Sequence, residues 1–147
     1  MNNKLLKKVS YILIALIQVS IISSVFIVQY LTNKKAGVMR HVYARRYQFE
    51  KSILTSYNLN TLSVIALIIT FIFIVLLIKS IKNNKNLFYK IQIIISIMVS
   101  LMICFIVNSN YFIEKLAYPY FIMAFILVLI LQIIVLIVTK ISNITDK

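Results

Sequence analysis

The residues that could carry out chemistry are few in this chain, and they lie far apart. It has one histidine, His41, one cysteine, Cys104, and only three acidic residues against sixteen Lys and Arg. A metal site needs several ligands, and His41 has no second His and no nearby Cys in the sequence. A Cys–His enzyme needs both side chains within hydrogen-bonding reach, yet Cys104 stands deep in an apolar segment. We therefore predict no enzymatic activity, no metal and no cofactor.

A pair of opposite charges is the second feature with chemical potential. Arg46 and Glu50 are spaced i, i+4, so they can pair along one face of a helix. Both fall on the apolar half of the segment that contains them, where a charge needs a compensating partner. One interpretation is an arginine that reaches toward water and is neutralised by its neighbour. The other is a buried or partner-facing ion pair.

A third set of polar side chains recurs at every fourth residue of a long apolar segment. Successive members are turned by about 40° around a helix, so they form a slowly winding stripe. Small and weakly polar side chains let helices approach closely in lipid and hydrogen-bond to each other. The stripe therefore favours a seam between helices, and the alternative is one wall of a polar pore. Its members are Gln92, Ser96, Ser100, Cys104 and Asn108.

Four apolar segments must position these residues, since 62% of the chain is hydrophobic and its mean hydropathy is +0.98. They cover residues 9–31, 59–78, 87–107 and 116–139, and each exceeds the roughly 18 residues needed to cross a membrane. Apart from Lys90, near the start of the third segment, they contain no charged residue or histidine. We predict an all-α membrane protein, a four-transmembrane-helix bundle that forms a single membrane domain over residues 1–147.

The segment between the first two spans is unusually long for a connection in a bundle. Residues 36–57 lack proline and separate into an apolar and a basic half at the helical period, which predicts an amphipathic interfacial helix. The basic residues of this segment, together with the ion pair, are the candidate contacts to lipid or to a partner: Arg40, Arg45, Arg46, Glu50 and Lys51. The apolar half comprises Val38, Met39, Val42, Tyr43, Tyr47, Phe49, Ile53, Leu54 and Tyr57.

The net charge of +13 does not indicate nucleic acid, because the basic residues flank apolar spans and no nucleic-acid-binding motif is present. They indicate anionic lipid head groups as a partner. The second loop is basic and the third nearly neutral, which favours a multi-pass protein of the cell membrane with both termini cytoplasmic. The first span taken alone favours the reverse. The abundance of Ile, Asn, Lys and Tyr indicates a microbial source.

These observations favour a non-enzymatic membrane protein that acts through its basic amphipathic segment, as an accessory, interaction or immunity/resistance-type protein. Its expected partners are membrane lipids, another membrane protein or further copies of itself. The alternative function is an oligomeric pore, a holin-like protein or a passive transporter lined by the polar stripe. An enzyme that acts on lipid or peptide through His41 and Glu50 is a third alternative.

Overall fold

The computed structural model describes residues 3–83 and 87–145, and this part of the chain is helical, with no strand. Residues 1–2, 84–86 and 146–147 of the predicted domain lie outside the described residues. The helices, in chain order, are α1 (Asn3–Lys34), α2 (Ala36–Ser52), α3 (Ser56–Lys82), α4 (Leu87–Asn108), α5 (Asn110–Ile113) and α6 (Tyr118–Thr145).

Four of these helices are long and apolar enough to cross a membrane, which confirms the prediction of an all-α protein with four candidate spans. Their membrane-compatible stretches are Tyr11–Lys34, Ser56–Lys82, Leu87–Asn108 and Tyr118–Ile141. The helices α1, α3 and α6 extend beyond the predicted spans 9–31, 59–78 and 116–139 at one end or both. Backbone hydrogen bonds continue past the apolar residues, so a helix can be longer than the part that lipid surrounds.

The amphipathic segment is shorter than predicted. α2 ends at Ser52, and Tyr57, which was assigned to its apolar half, belongs to the first turn of α3. The reason is a local cap: Thr55 has an extended backbone, and its hydroxyl accepts a hydrogen bond from the Asn58 N–H at 3.4 Å. The Asn58 side chain also donates to the Ile53 carbonyl at 2.8 Å. These contacts start a new helix where the wheel pattern alone predicted continuation.

The third loop contains a helix that the sequence did not predict. α5 forms a single turn after Asn108, and Ser109 between α4 and α5 has an extended backbone. The α6 helix then begins at Tyr118 instead of residue 116, with Pro119 in its first turn, where a missing N–H is tolerated. The helical conformation is therefore interrupted twice within a short stretch, at Ser109 and at residues 114–117.

The long helices pack in the order α1, α6, α4, α3. α4 lies against both α3 and α6, and α1 lies against α6, while no comparable contact joins α1 to α3 within residues 3–83 and 87–145. Burial agrees with this order. In the most apolar stretch of each helix, the share of buried residues is 50% for α6 and 39% for α4. The corresponding share is 17% for α3 and 6% for α1. The two outer helices therefore present most of their apolar side chains to the surroundings.

This order explains why the connection from α1 to α3 is long. The chain must travel past α6 and α4 to join the two outer helices, and packed helices lie about 8–10 Å apart, so the distance is roughly 27 Å. α2 has 17 residues, which corresponds to about 26 Å of helix. This length is close to the width estimated for a straight row of four helices.

Ala66 is buried in the seam between α3 and α4, and it yields a first prediction. Its side chain is 1% exposed, and its carbonyl accepts the Ser100 hydroxyl at 2.8 Å. We expect Ala66→Leu to lower the free energy of unfolding by about 1–3 kcal/mol, because the larger side chain forces the helices apart. The measurement is denaturant-driven unfolding in bicelles. Ala15→Leu, the same change at an exposed position of α1, is the control, and an equal loss there would contradict the assigned packing.

Candidate functional site

One side of α2 packs against the rest of the chain. Val42 is 3% exposed, and the Phe49 ring meets the Tyr120 ring of α6 edge-on, with 6.3 Å between ring centroids. Leu54, just after α2, is also buried in the core. The packed side therefore includes only part of the apolar half that the sequence predicts for this segment.

Arg46 fastens α2 to the turn between α5 and α6. Its Nε donates to Glu50 Oε1 at 2.6 Å, Nη1 donates to the Lys115 carbonyl at 2.9 Å, and Nη2 donates to the Ile113 carbonyl at 3.0 Å. Ile113 is the last residue of α5, where a carbonyl has no helical partner further along the chain. A planar guanidinium can satisfy three acceptors at once, which a lysine cannot do in this geometry. We name these contacts the Arg46 clamp.

The opposite side of α2 is exposed and carries aromatic residues beside basic ones. Met39, Tyr43 and Tyr47 recur every four residues and have exposures of 48%, 62% and 54%. Arg40 and Lys51 stand next to them on the helical wheel and are also exposed. We call these five residues the outer face of α2. The predicted apolar half is thus divided between a packed and an exposed stripe.

Cations lie over tyrosine rings around this end of the molecule. Lys51 Nζ is 4.4 Å from the centroid of the Tyr47 ring, and Lys115 Nζ is 4.5 Å from that of Tyr111. Such contacts are favourable because the ring face is electron-rich. Arg45, the other predicted contact residue, donates to Gln48 within α2 at 3.1 Å and is exposed.

The polar stripe of α4 turns from one neighbouring helix to the other. Four steps of about 40° rotate it by roughly 160° between its two ends. Gln92 therefore faces α6, where its Oε1 accepts from Gln132 Nε2 at 2.7 Å. Asn108 faces α3, where its Nδ2 donates to Ser63 Oγ at 2.9 Å. Ser96, in between, is fully buried and donates to the Gln92 carbonyl of its own helix at 2.8 Å.

Hydroxyl groups join α4 to α3. Ser100 is fully buried, donates to the Ala66 carbonyl at 2.8 Å, and accepts from Thr70 Oγ1 at 2.9 Å. One helical turn further along, the Cys104 thiol lies 3.5 Å from Ser63 Oγ. Cys104, Asn108 and Ser63 therefore form one small polar cluster near the end of the two helices.

Amide groups join α4, α6 and α1. Gln132, which is 1% exposed, donates to Gln92 and accepts from Gln18 Nε2 at 2.9 Å. Gln29, also on α1, accepts from the Ala117 N–H at 3.1 Å just before α6 begins. The structure has two separate seams on the two sides of α4, because the stripe winds around the helix.

A cavity of about 650 Å³ lies beneath the C-terminal end of α2. It sits where α3 and α6 begin and α4 ends, and it has both an apolar and a polar wall. Leu59, Val107 and Tyr118 belong to the apolar wall. Its size is in the range of small-molecule and cofactor sites. The polar wall consists of Arg46, Glu50, Thr55, Ser56, Asn60 and Asn108.

His41 and Cys104 lie on different helices, His41 exposed on α2 and Cys104 in the α3–α4 seam. Among the described residues no three His, Cys, Asp or Glu side chains come together in a group able to hold a metal ion. Sequence reasoning missed the two carbonyl acceptors of Arg46, since main-chain acceptors leave no trace in a residue pattern. Gln18 and Gln132 are polar residues within two of the predicted spans, but no sequence pattern indicates that the two would pair.

Neither a protein-family model, nor a curated protein, nor a solved structure matches this chain. The basis for a function is therefore the arrangement of its own side chains. That arrangement includes an exposed aromatic and basic face on α2 and two internal polar seams. It also includes the cavity that Arg46 and Glu50 line.

The Arg46 clamp leads to a second prediction. Replacing Arg46 with Gln removes the charge-assisted bonds to two carbonyls and to Glu50, which together are worth roughly 2 kcal/mol at this partly exposed site. We expect amides of α2 and of residues 114–117 to exchange with deuterium up to about thirtyfold faster. Hydrogen–deuterium exchange with mass spectrometry measures this. Arg45→Gln removes the same charge one residue away and is the control; equal effects of both variants would refute the clamp.

Proposed function

We propose that this chain is a non-enzymatic membrane protein whose second helix lies at the membrane interface and binds anionic lipid head groups. The observation that carries the proposal is the outer face of α2, where an exposed stripe of Met39, Tyr43 and Tyr47 borders Arg40 and Lys51. Tyrosine is enriched at the level of the head groups, and basic side chains are drawn to anionic lipid. A helix with this division favours the interface over either water or hydrocarbon.

The position of α2 along the chain supports the same proposal. It connects the end of α1 to the start of α3, and its clamp holds it to the turn before α6. These are the points at which candidate spans end, so α2 belongs at the level where hydrocarbon gives way to head groups. The lysines above Tyr47 and Tyr111 support the same position, because amphipathic rings and basic side chains are both favoured at the level of the head groups.

The clamp also bears on how the protein would act. Because Arg46 fixes α2 to the α5–α6 turn, the outer face is presented in one orientation rather than on a flexible loop. A fixed face loses less conformational entropy when it binds a lipid surface or a second membrane protein. We propose an accessory, interaction or immunity/resistance-type role, in a multi-pass protein of the cell membrane with cytoplasmic termini.

The third prediction concerns anionic lipid. For the full chain in phosphatidylcholine nanodiscs, we expect added phosphatidylglycerol to slow deuterium exchange of the α2 amides. Each basic residue contributes about 1 kcal/mol near an anionic surface, so Arg40→Gln with Lys51→Gln weakens the apparent binding roughly thirtyfold. The effect in the unmodified protein should also diminish at high salt.

A matched variant removes two charges from the other end of the molecule. Lys79 and Lys82 are exposed in the last turn of α3, and replacing both with Gln should leave the phosphatidylglycerol response of α2 unchanged. The proposal is wrong if phosphatidylglycerol does not slow deuterium exchange of the α2 amides. It is also wrong if both double variants change that response equally.

The alternative function is a pore or passive transporter lined by the α4 stripe. Ser96 and Ser100 are fully buried and hydrogen-bonded inside one chain, and Gln92 is engaged by Gln132. A pore would require these side chains to turn toward water in an assembly, so their present contacts support the seam interpretation instead.

This difference yields a fourth prediction. We expect liposomes that contain the purified protein to retain a small fluorescent dye at every protein density, because the polar side chains of α4 are occupied within the chain. Dye release is the measurement, with protein-free liposomes prepared in parallel. Release that rises steeply with density and falls on Gln92→Leu substitution would favour the pore.

A further inference from the structure

The cavity beneath α2 contains two opposite charges in a chain that is otherwise strongly basic. Arg46 and Glu50 both line it, and Glu50 is one of only three acidic residues. Their side-chain exposures are 20% and 43%, so Arg46 is the more enclosed of the two. The cavity therefore offers a cation and an anion side by side.

Both charged groups retain hydrogen-bonding capacity. A guanidinium has five N–H donors, and the clamp uses one on each of its three nitrogens, which leaves one on Nη1 and one on Nη2. Glu50 uses Oε1 toward Arg46, and its second oxygen remains as an acceptor. The clamp also holds the guanidinium in place, so little ordering is required when a ligand binds.

We propose that this cavity binds a phosphoethanolamine head group, with its phosphate at Arg46 and its primary ammonium at Glu50. A zwitterion matches the two charges, whereas a purely anionic head group would meet the carboxylate as well as the guanidinium. Asn60, on the same polar wall, supplies an amide for an ester or glycerol oxygen. The proposal is independent of the outer face of α2, whose residues do not line the cavity.

The location of the cavity favours a lipid as the source of this head group. It lies between the first turn of α3, the last turn of α4 and the start of α6. Leu59 and Val107 line the same cavity as the polar side chains. A phospholipid places its zwitterion and the beginning of its acyl chains at the same two levels.

The test uses the full chain in phosphatidylcholine nanodiscs and native mass spectrometry. Short-chain phosphatidylethanolamine is titrated in, with phosphatidylcholine, whose ammonium has no N–H, and phosphatidylglycerol, which has no ammonium, as comparisons. We expect one phosphatidylethanolamine per chain, bound about tenfold more tightly than either comparison lipid, as one charge-assisted hydrogen bond predicts. Competition by glycerophosphoethanolamine, which lacks acyl chains, shows whether the free head group binds as well as the lipid.

Glu50→Gln is the decisive variant. It keeps a side-chain oxygen for Arg46, so α2 stays clamped, which exchange of the α2 amides verifies, and it removes the charge that the ammonium needs. We expect the tenfold preference for phosphatidylethanolamine to disappear. Glu114→Gln is the matched control: Glu114 follows α5 at the same end of the molecule and does not line the cavity. Equal affinity for the three lipids, or equal effects of the two variants, would overturn the proposal. If α2 shows no phosphatidylglycerol response but these lipid preferences hold, the head-group proposal stands, because that response tests only the outer face of α2.

Discussion

Hydrocarbon has no hydrogen-bond partners to offer, and this constraint governs how the four long helices meet. A polar side chain in the span of such a helix must find its partner on the same helix or on a neighbour. Ser100 finds it in Thr70 and in the Ala66 carbonyl of α3, while Gln92 finds it in Gln132 of α6. α4 thereby acquires a bonded neighbour on each side.

From these two seams follows the order of the helices. The amide chain continues from Gln132 to Gln18, which draws α1 onto the far side of α6. α1 and α3 become the outer helices, so the chain must cross the end of the row to connect them. α2 makes that crossing, and Arg46 joins it to the turn before α6. The interhelical polar contacts, each worth only about 1 kcal/mol, join every neighbouring pair in the row: α3 with α4, α4 with α6, and α6 with α1.

Crossing the row exposes one side of α2 and encloses another. The enclosed side carries Val42 and Phe49, and the exposed side carries Tyr43 and Tyr47 beside basic residues. Between the enclosed side and the ends of the long helices remains the cavity that Arg46 and Glu50 line. The proposed lipid contacts are therefore both consequences of where α2 lies, one on its outer surface and one beneath it.

Much of this could be predicted from periodicity and hydropathy. The number of candidate spans follows from apolar length, because a helix must satisfy its backbone inside the membrane over a fixed thickness. The α4 stripe and the i, i+4 pair of Arg46 and Glu50 follow from the geometry of one helix. The end of α2 could not be predicted in this way, because the wheel pattern continues to Tyr57 while the side chain of Thr55 caps a new helix.

The sequence by itself determined which residues lie in helices, which helices suit a membrane, and which side chains need a polar partner. Only the tertiary structure decided where those partners lie: on α3 for Ser100, on α6 for Gln92, and at the carbonyls of Ile113 and Lys115 for Arg46. The reason is physical. A residue pattern records the side chains on one helix face, whereas a partner on another helix, above all a backbone carbonyl, depends on which helices become neighbours and in what register.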